Sequence, residues 1–372
     1  MLIGIPKEIK NNEFRVGMTP LSVREVVRHG HDAWVETSAG AGIGASDADY
    51  TRAGATIIRS ADEIFAKADM IVKVKEPQAN ERKMLREGQI LYTYLHLAPD
   101  PEQTRDLVKS GAICIAYETV TSSRGGLPLL APMSQVAGRM SIQCGAHSLE
   151  KAQGGRGMLL GGVPGVAPAK VVILGGGVVG TNAAAMAIGM GADVVILEKS
   201  TERMEELVAR FGTGLKTLYS TLGAVEDECA EADLVIGGVL IPGAAAPKLI
   251  TKAMLKDWKP GSVLVDVAID QGGCAETSRA TTHANPTYVV DGVIHYCVAN
   301  MPGGVARTST FALNNVTLPF ALKLADKGWK KALADDMHLR NGLNVAFGKV
   351  TYKAVADDLS YTYVPADRLL AT

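Results

Sequence analysis

The clearest indication of the fold lies in the segment Val171-Val172-Ile173-Leu174-Gly175-Gly176-Gly177-Val178-Val179-Gly180, where an apolar, strand-like run enters a glycine turn and leaves it as a helix. In such a turn Gly175 allows a tight change of direction, Gly177 allows the backbone to approach a pyrophosphate, and Gly180 allows close packing of helix on strand. The unpaired N–H groups at the helix start attract a phosphate. The segment therefore predicts a dinucleotide-binding unit.

A glycine triplet alone is weak evidence, but the sequence around it supplies the rest of the unit. Residues 183–190 are typical of a helix, and residues 193–197 form a second apolar run that is followed by Glu198. A carboxylate at this point can accept hydrogen bonds from both ribose hydroxyls and repels a 2′-phosphate, so NAD is favoured over NADP. Lys199 and Arg203 lie close enough in sequence to weaken that preference. The alternative is that the glycines serve only to pack a helix on a strand.

Composition indicates an ordinary globular protein without a polyanionic partner. The chain has 372 residues, which suggests about two domains, with 47% hydrophobic and 21% charged residues. A formal charge of -1 provides no basic field for nucleic acid or anionic lipid. Residues 171–192 carry no charge, but their glycines favour a buried strand, turn and helix over a membrane span. No signal peptide is apparent at the N-terminus, and we expect a cytoplasmic protein.

The cysteines and histidines indicate neither disulfides nor a structural metal. The five cysteines are odd in number and lack any C-x-x-C spacing, which suits reduced thiols in the cytosol. Clusters of His and Cys at metal-ligand spacing are also missing from the sequence. We therefore predict no metal site.

Strand and helix patterns alternate along the chain, which predicts parallel sheets joined by right-handed crossovers. Six apolar runs from residue 171 to residue 297 match a full dinucleotide-binding fold. A helical pattern over residues 308–325, despite Pro319, should return the chain to the first domain. The predicted fold class is α/β, with two doubly wound parallel-sheet domains: a substrate domain of residues 1–130 plus 307–372, and an inserted Rossmann NAD-binding domain of residues 131–306.

Several local features are also predicted. Ser60 and Glu63 have the spacing of a capping box, and Ser134 is placed to cap a long helix through residue 151. Residues 80–86 and 251–256 are typical of further helices.

Three residues of the first domain are candidates for substrate chemistry. Arg15 offers a forked guanidinium suited to a carboxylate, and Lys75 offers a second cation at a strand end. His96 also follows a strand, where an imidazole could donate and recover a proton. Because parallel strands end at the same edge of a sheet, Lys75 and His96 should face one crevice that Arg15 can reach. Individually, the two cations could be surface charges and the histidine could be structural.

A second set of acids lies in Asp266-Val267-Ala268-Ile269-Asp270-Gln271-Gly272-Gly273, where a strand enters a glycine loop. Either carboxylate could face a nicotinamide. Spacing does not choose between Asp266 and Asp270, although the loop position of Asp270 gives it the longer reach.

Further motifs extend over essentially the full chain, and together they resemble the bacterial L-alanine dehydrogenases of the alanine dehydrogenase/transhydrogenase alpha-subunit family. Besides the glycine turn and residues 265–273, they are Ile3-Gly4-Ile5-Pro6-Lys7-Glu8, Arg15-Val16, Val74-Lys75-Glu76-Pro77, Tyr94-Leu95-His96-Leu97-Ala98, Ala131-Pro132-Met133-Ser134, Gly161-Gly162-Val163-Pro164-Gly165-Val166 and Ala299-Asn300-Met301-Pro302-Gly303.

The resemblance implies NAD-dependent oxidative deamination of L-alanine to pyruvate and ammonium, reversible to reductive amination. It implies that Arg15 and Lys75 bind the substrate carboxylate, that His96 is the acid and base, and that Asp270 is the second catalytic group near the amino nitrogen. The positions that it implies for NAD contact are Ser134, Gly175, Gly177, Val178, Val179, Gly180, Glu198, Arg203, Ser220, Val239, Leu240, Val267, Arg279, Val298, Asn300 and Met301.

Three positions depart from the family pattern. The ribose carboxylate is often Asp in the family and is Glu198 here, one methylene longer. Lys323 and Lys327 stand where some relatives carry metal-binding side chains, so we do not predict magnesium. The family is typically homohexameric, and the resemblance implies the same assembly.

Four alternatives remain open. They are the nucleotide-binding module of a transhydrogenase-type complex, a dehydrogenase for another small amino acid, a saccharopine-type dehydrogenase, and an NAD-responsive binding protein without turnover. The joint presence of Lys75, His96 and Asp270 favours an enzyme, as does the lack of a membrane segment after residue 325.

Overall fold

The computed structural model describes residues 1–239 and 246–371. The chain divides into two compact units, of which the first comprises Met1–Met133 and Val305–Thr372 and the second comprises Ser134–Gly304. The sequence had suggested 131–306 for the inserted part. In the described ranges, no helix is both long enough and apolar enough to span a bilayer.

The first stretch of unit 1 alternates strands with helices. Its strands are β1 (Leu2–Ile5), β2 (Asp32–Glu36), β3 (Thr56–Ile58), β4 (Met70–Val72), β5 (Ile90–Thr93) and β6 (Ile113–Ala116). Its helices are α1 (Pro20–Arg28), α2 (Asp47–Arg52), α3 (Ala61–Lys67), α4 (Ala79–Arg82) and α5 (Pro101–Ser110). The start of α1 is determined by neighbouring residues, because the Thr19 hydroxyl accepts the Ser22 N–H at 3.2 Å and Pro20 occupies the first helical position.

The chain enters unit 2 along α6 (Ala131–Ser148), which begins just before the boundary. The strands that follow are β7 (Lys170–Leu174), β8 (Asp193–Glu198), β9 (Lys216–Tyr219), β10 (Leu234–Gly237), β11 (Val263–Asp266), β12 (Thr287–Val290) and β13 (Val293–Tyr296). The helices among them are α7 (Val178–Gly189), α8 (Thr201–Phe211) and α9 (Leu222–Ala230).

A long helix, α10 (Ala306–Lys327), belongs to unit 1 and contains Pro319, as predicted from the helical pattern. The remaining elements of that unit are α11 (Trp329–Asp335), α12 (Met337–Arg340), β14 (Leu343–Ala346), β15 (Lys349–Val350), α13 (Lys353–Leu359) and α14 (Ala366–Leu370).

The sheet of unit 1 has the strand order β15-β14-β6-β5-β4-β1-β2-β3. Strands β1 to β6 pair in parallel, whereas β14 runs antiparallel to β6 and to β15. Strand β4 therefore lies between β1 and β5, and the segments that follow these strands leave the sheet at the same edge.

The sheet of unit 2 has the order β12-β13-β11-β10-β7-β8-β9, and its pairs are parallel except β12 with β13. The chain order reverses between β7 and β10, which is where doubly wound sheets bind ligands. Alternate residues of β7 pack on opposite faces, since Val171 and Ile173 belong to one apolar core and Val172 and Leu174 to another. Burial on both faces explains the uncharged run of the sequence.

Four local predictions were wrong. Ser134 lies inside α6 rather than capping it, and the Ser60 hydroxyl accepts the Asp62 N–H instead of forming a box with Glu63. The helix expected at 80–86 is only Ala79–Arg82, and a 3-10 turn at Met254–Asp257 replaces the helix expected at 251–256. Strand β12 was missed, because its residues alternate between exposed and half-buried and lack a continuous apolar run.

Candidate active site and nucleotide site

Three of the four parallel strands at the centre of the unit 1 sheet are followed within three residues by a polar residue of interest. Lys75 follows β4, His96 follows β5 and Glu118 follows β6, while Arg15 lies in the loop after β1. Because β1, β4, β5 and β6 are consecutive neighbours, these residues leave the sheet along one edge. The structure thus has Lys75 and His96 after neighbouring strands at one edge of the sheet, with Arg15 in the loop after β1.

Arg15 is a buried ion-pair partner and not a solvated loop charge, since it is only 2% exposed. Its Nε and Nη2 donate to Oε1 and Oε2 of Glu13 at 2.7 and 2.6 Å, and Nη1 lies 3.1 Å from Met133 Sδ. Burial disfavours the charged guanidinium, but the bonds to Glu13 outweigh it and raise the pKa of Arg15. One edge of the Arg15 guanidinium is therefore occupied by hydrogen bonds to Glu13, which was not predicted from the sequence.

The segment that carries Lys75 rests on a buried charge network. Lys73 is fully buried, with its Nζ 3.0 Å from Glu8 Oε2 and 2.9 Å from Glu81 Oε1. Burial opposes the charge of Lys73, but attraction by both carboxylates raises its pKa, while burial raises the pKa of Glu8. The backbone N–H groups of Val74 and Lys75 both donate to Glu8 Oε1, at 2.6 and 3.3 Å. This support for Lys75 depends on contacts distant in sequence and was not predicted.

His96 has a left-handed backbone, with φ at 50°, which is uncommon for a residue other than glycine. Its N–H and that of Leu95 donate to Glu118 Oε1 at 2.6 and 3.1 Å, which holds this conformation in place. The ring stacks on Tyr94 with centroids 5.8 Å apart, and Nδ1 lies 4.0 Å from Glu118 Oε1. The side chain remains 44% exposed, so its imidazole is accessible for proton transfer.

Glu118 could have been found in the sequence from the same signal as Lys75 and His96. It lies two residues after a buried apolar strand, β6, at the edge where the other two residues lie.

The two aspartates of the glycine loop in unit 2 differ in environment. Asp266 is fully buried, and its oxygens accept the N–H groups of Ala268 and Cys274 at 3.1 and 2.8 Å and the Ser278 hydroxyl at 2.5 Å. Asp270 lies exposed in the 3-10 turn Val267–Gln271 that follows β11. The geometry assigns Asp266 to holding the loop and leaves Asp270 accessible for chemistry.

The glycine turn after β7 shows the three properties expected of it. Gly175 has φ at 92°, so a side chain there would be strained. A Cβ on Gly180 would lie 1.9 Å from the Gly175 oxygen, whereas a Cβ on Gly177 would meet nothing within 4 Å. Helix α7 starts at Val178 without a side-chain cap on Gly177. The backbone at this helix start is thus open to a phosphate, as a dinucleotide site requires.

Glu198, at the end of β8, contacts the same turn. Its Oε2 accepts the Gly176 N–H at 2.7 Å, and its Oε1 accepts those of Lys199 and Ser200 at 2.7 and 3.0 Å. Burial opposes ionisation, but these N–H groups and Arg203 outweigh it and lower the pKa of Glu198. Arg203 donates to the Gly176 oxygen and to Thr181 Oγ1, each at 2.7 Å. An ionised acceptor therefore lies beside the glycine turn.

Most other predicted nucleotide contacts follow the strands of unit 2 at their carboxyl ends. They are Ser220 after β9, Val239 after β10, Val267 after β11, and Val298, Asn300 and Met301 after β13. Val239 lies against the glycine turn, because a Cβ on Gly175 would be 3.3 Å from its Cα. Arg279 stacks on the Tyr288 ring at 3.9 Å, and Ser134 lies in α6. Leu240 lies outside the described residues.

Acidic and histidine side chains form no cluster of three suited to a metal ion within residues 1–239 and 246–371. Lys323 and Lys327 instead form ion pairs with Asp336 and Asp335, at 2.8 and 2.7 Å.

Two family models match the chain: "Alanine dehydrogenase/PNT, N-terminal domain" over residues 4–137 and "Alanine dehydrogenase/PNT, C-terminal domain" over residues 141–353. The chain belongs to the alanine dehydrogenase/PNT family. The resemblance and the fold class predicted from the sequence are thereby confirmed.

Several members of this family are similar to this chain over its whole length. An alanine dehydrogenase of Halomonas elongata is 62% identical over 370 residues, covering 100% of both proteins. An alanine dehydrogenase of Bacillus subtilis is 56% identical, covering 100% of this chain and 98% of the relative. A solved L-alanine dehydrogenase has a TM-score of 0.94 and 52% identity, covering 97% of this chain and 99% of its own. A transhydrogenase of Sinorhizobium meliloti has a TM-score of 0.83 and 27% identity, covering 94% and 100%.

Proposed function

We propose that this chain is an NAD-dependent L-alanine dehydrogenase, which converts L-alanine, NAD⁺ and water to pyruvate, ammonium, NADH and a proton, and catalyses the reverse. The observation that carries the proposal is the 62% identity to an alanine dehydrogenase along the entire chain, through both units. The residues suited to the chemistry are present and lie at strand ends in the two units.

In this proposal Arg15 and Lys75 bind the substrate carboxylate. Their positions at one sheet edge support it, and so does the burial of Arg15, since a buried guanidinium interacts more strongly with an anion. Glu13 already engages the Nε and Nη2 atoms of Arg15. We infer that Glu13 sets the orientation of the fork while Lys75 provides the second positive charge.

His96 and Asp270 are assigned to proton transfer. The accessible imidazole of His96 takes a proton from water as the water adds to the imine and passes it to the nitrogen of the resulting carbinolamine. It then takes the hydroxyl proton as ammonia departs and gives it to the ammonia to form ammonium, and in the reverse direction it makes the same transfers in the opposite order. The exposed carboxylate of Asp270 favours the positively charged form of the substrate nitrogen. Bound NAD⁺ supplies the oxidation by accepting a hydride from the substrate Cα.

The glycine turn and Glu198 are assigned to NAD. The open backbone at Gly177 suits the pyrophosphate, and the ionised Glu198 suits the ribose hydroxyls and repels a 2′-phosphate. The remaining strand-end residues of unit 2 complete this proposed nucleotide site, with Ser134 and Arg279 as the contacts outside the strand ends. By family resemblance we further propose a cytoplasmic homohexamer without a nucleic-acid or membrane partner.

The alternative of a transhydrogenase module fits the same fold less well. The identity to the transhydrogenase structure is 27%, against 52% for the L-alanine dehydrogenase structure. Lys75, His96 and Asp270 also provide a substrate chemistry that a nucleotide-binding module does not need.

The test is a spectrophotometric assay of NADH oxidation with pyruvate, with and without ammonium. We expect consumption only when both are present, and weaker consumption with glyoxylate or 2-oxobutyrate in place of pyruvate. An equal rate of NADH oxidation with and without ammonium, or a clear preference for another 2-oxo acid over pyruvate, would overturn the assignment to alanine.

A further inference from the structure

The backbone around Lys75 is held from both sides by buried side chains that the proposed chemistry does not use. Strand β4 ends at Val72, and residues 73–78 have no regular structure before α4 begins. Within this segment the Lys75 N–H donates to Glu8 Oε1 at 3.3 Å, and its carbonyl accepts the Thr93 hydroxyl at 3.0 Å. Glu8 follows β1 and Thr93 ends β5, so each neighbour of β4 supplies one contact.

Both contacts are rigidly supported. The second oxygen of Glu8 accepts Lys73 Nζ at 3.0 Å, and Lys73 is held in turn by Glu81 and, through its carbonyl, by the Tyr117 hydroxyl. A buried charge with all its partners fixed cannot turn towards solvent without losing several favourable contacts. Thr93 is fully buried in the sheet.

We propose that Glu8 and Thr93 are positioning residues that fix the Lys75 backbone and thereby determine where its ammonium group meets the substrate carboxylate. The inference rests on the proposed role of Lys75 as a substrate anchor. A lysine ammonium is a point charge on a flexible four-carbon stem, so its reach is defined only if the backbone beneath it is fixed. Binding groups need placement to within about 0.5 Å, and a backbone free to rotate at residues 73–78 would displace the Lys75 ammonium group by more than that.

Threonine variants give the sharpest test. Thr93→Val removes the hydroxyl and keeps the shape, and we expect the KM for pyruvate and for L-alanine to rise roughly 3- to 10-fold, as for one lost hydrogen bond. The KM for NADH should stay within about twofold, because the glycine turn lies in the other unit. Thr93→Ser keeps the hydroxyl and should restore most of the substrate affinity.

Thr351→Val is the matched control. Thr351 is also buried, and its hydroxyl donates to the Leu343 carbonyl at 2.8 Å near the far edge of the same sheet. This variant should lower Tm comparably to Thr93→Val and leave every KM unchanged. If Thr93→Val and Thr351→Val behave alike in all KM values, or if Thr93→Ser is as impaired as Thr93→Val, the positioning role is wrong.

Glu8→Gln and Lys75→Met complete the experiment. Glu8→Gln retains an oxygen for the backbone donors but loses the ion pair with Lys73, so we expect a lower Tm and a smaller KM change than for Thr93→Val. Lys75→Met tests the proposed function itself. If it leaves the substrate KM unchanged, Lys75 is not the anchor, whereas a raised KM in Lys75→Met together with an unchanged KM in Thr93→Val refutes only the positioning role.

Discussion

At the scale of single residues, burial separates the two aspartates of the loop after β11. Asp266 accepts three hydrogen bonds in the interior, whereas Asp270 is exposed. A carboxylate that is engaged in this way serves the structure, and an accessible one can contact a substrate. The sequence alone does not decide whether Asp266 or Asp270 contacts the substrate, and the burial of Asp266 favours Asp270.

We predict that removing the charge of Asp270 lowers turnover, whereas removing that of Asp266 lowers stability. Asp270→Asn should lower kcat by about 10²-fold or more while NADH binds as before, because the carboxylate that we propose for the substrate nitrogen loses its charge. Asp266→Asn should lower stability by about 1–3 kcal/mol, since an amide cannot accept all the same donors. Steady-state kinetics, NADH fluorescence titration and thermal melting distinguish these results. Full turnover in purified Asp270→Asn would refute its catalytic assignment.

A second prediction at this scale concerns Glu198 and cofactor choice. Glu198→Ala should narrow the preference for NADH over NADPH in kcat/KM by roughly tenfold, equivalent to about 1.4 kcal/mol, because repulsion of the 2′-phosphate is lost. Glu206→Ala is the control, since Glu206 is an exposed acid on α8 that also pairs with Arg203. An unchanged ratio in Glu198→Ala, or an equal change in both variants, would mean that the ribose is selected elsewhere.

At the scale of elements, the start of α7 combines two glycines with different structural demands. A Cβ on Gly180 would collide with the Gly175 oxygen at 1.9 Å, but a Cβ on Gly177 would point into open space. Gly180 therefore allows β7 and α7 to pack closely, and Gly177 leaves the start of α7 open to a ligand.

We predict that Gly177→Ala and Gly180→Ala fail in different ways. Gly177→Ala should lower Tm by no more than about 2–3 °C, since replacing glycine by alanine at an N-cap costs roughly 1 kcal/mol, but should weaken NADH binding. Gly180→Ala should lower Tm clearly, because helix and strand must separate to relieve the overlap. Wild-type affinity for NADH in Gly177→Ala would show that no phosphate approaches this turn.

Elements were predictable from sequence where a local cause determines them. The cap at Thr19 follows from neighbouring residues, and so do the buried strands around Val171, which the structure has where expected. Hydrogen bonds between separate strand ends were not predictable, such as those that the backbone N–H groups of His96 and Lys75 donate to Glu118 and Glu8. The edge strand β12 was missed because solvent exposure removes the apolar signal that identifies buried strands.

At the scale of the whole molecule, each unit has its own sheet and its own apolar core. The two cores of unit 2 draw their residues from 137–301, and a separate core packs on the unit 1 sheet. Unit 2 is continuous in sequence, whereas unit 1 is assembled from both ends of the chain. An isolated domain with a complete core can fold alone.

We therefore predict that residues 131–304, which include all of α6, fold as an independent fragment that binds NADH. At a concentration of NADH roughly 100 times its Kd, binding should stabilise the fragment by about 2.7 kcal/mol and raise its Tm by about 5–10 °C. The fragment should have no turnover with pyruvate and ammonium, because Lys75 and His96 lie in the other unit. The same fragment carrying Gly177→Ala is the control and should show a smaller shift. A folded fragment whose Tm does not respond to NADH, beside a full-length chain whose Tm does, would mean that unit 2 alone does not form the nucleotide site.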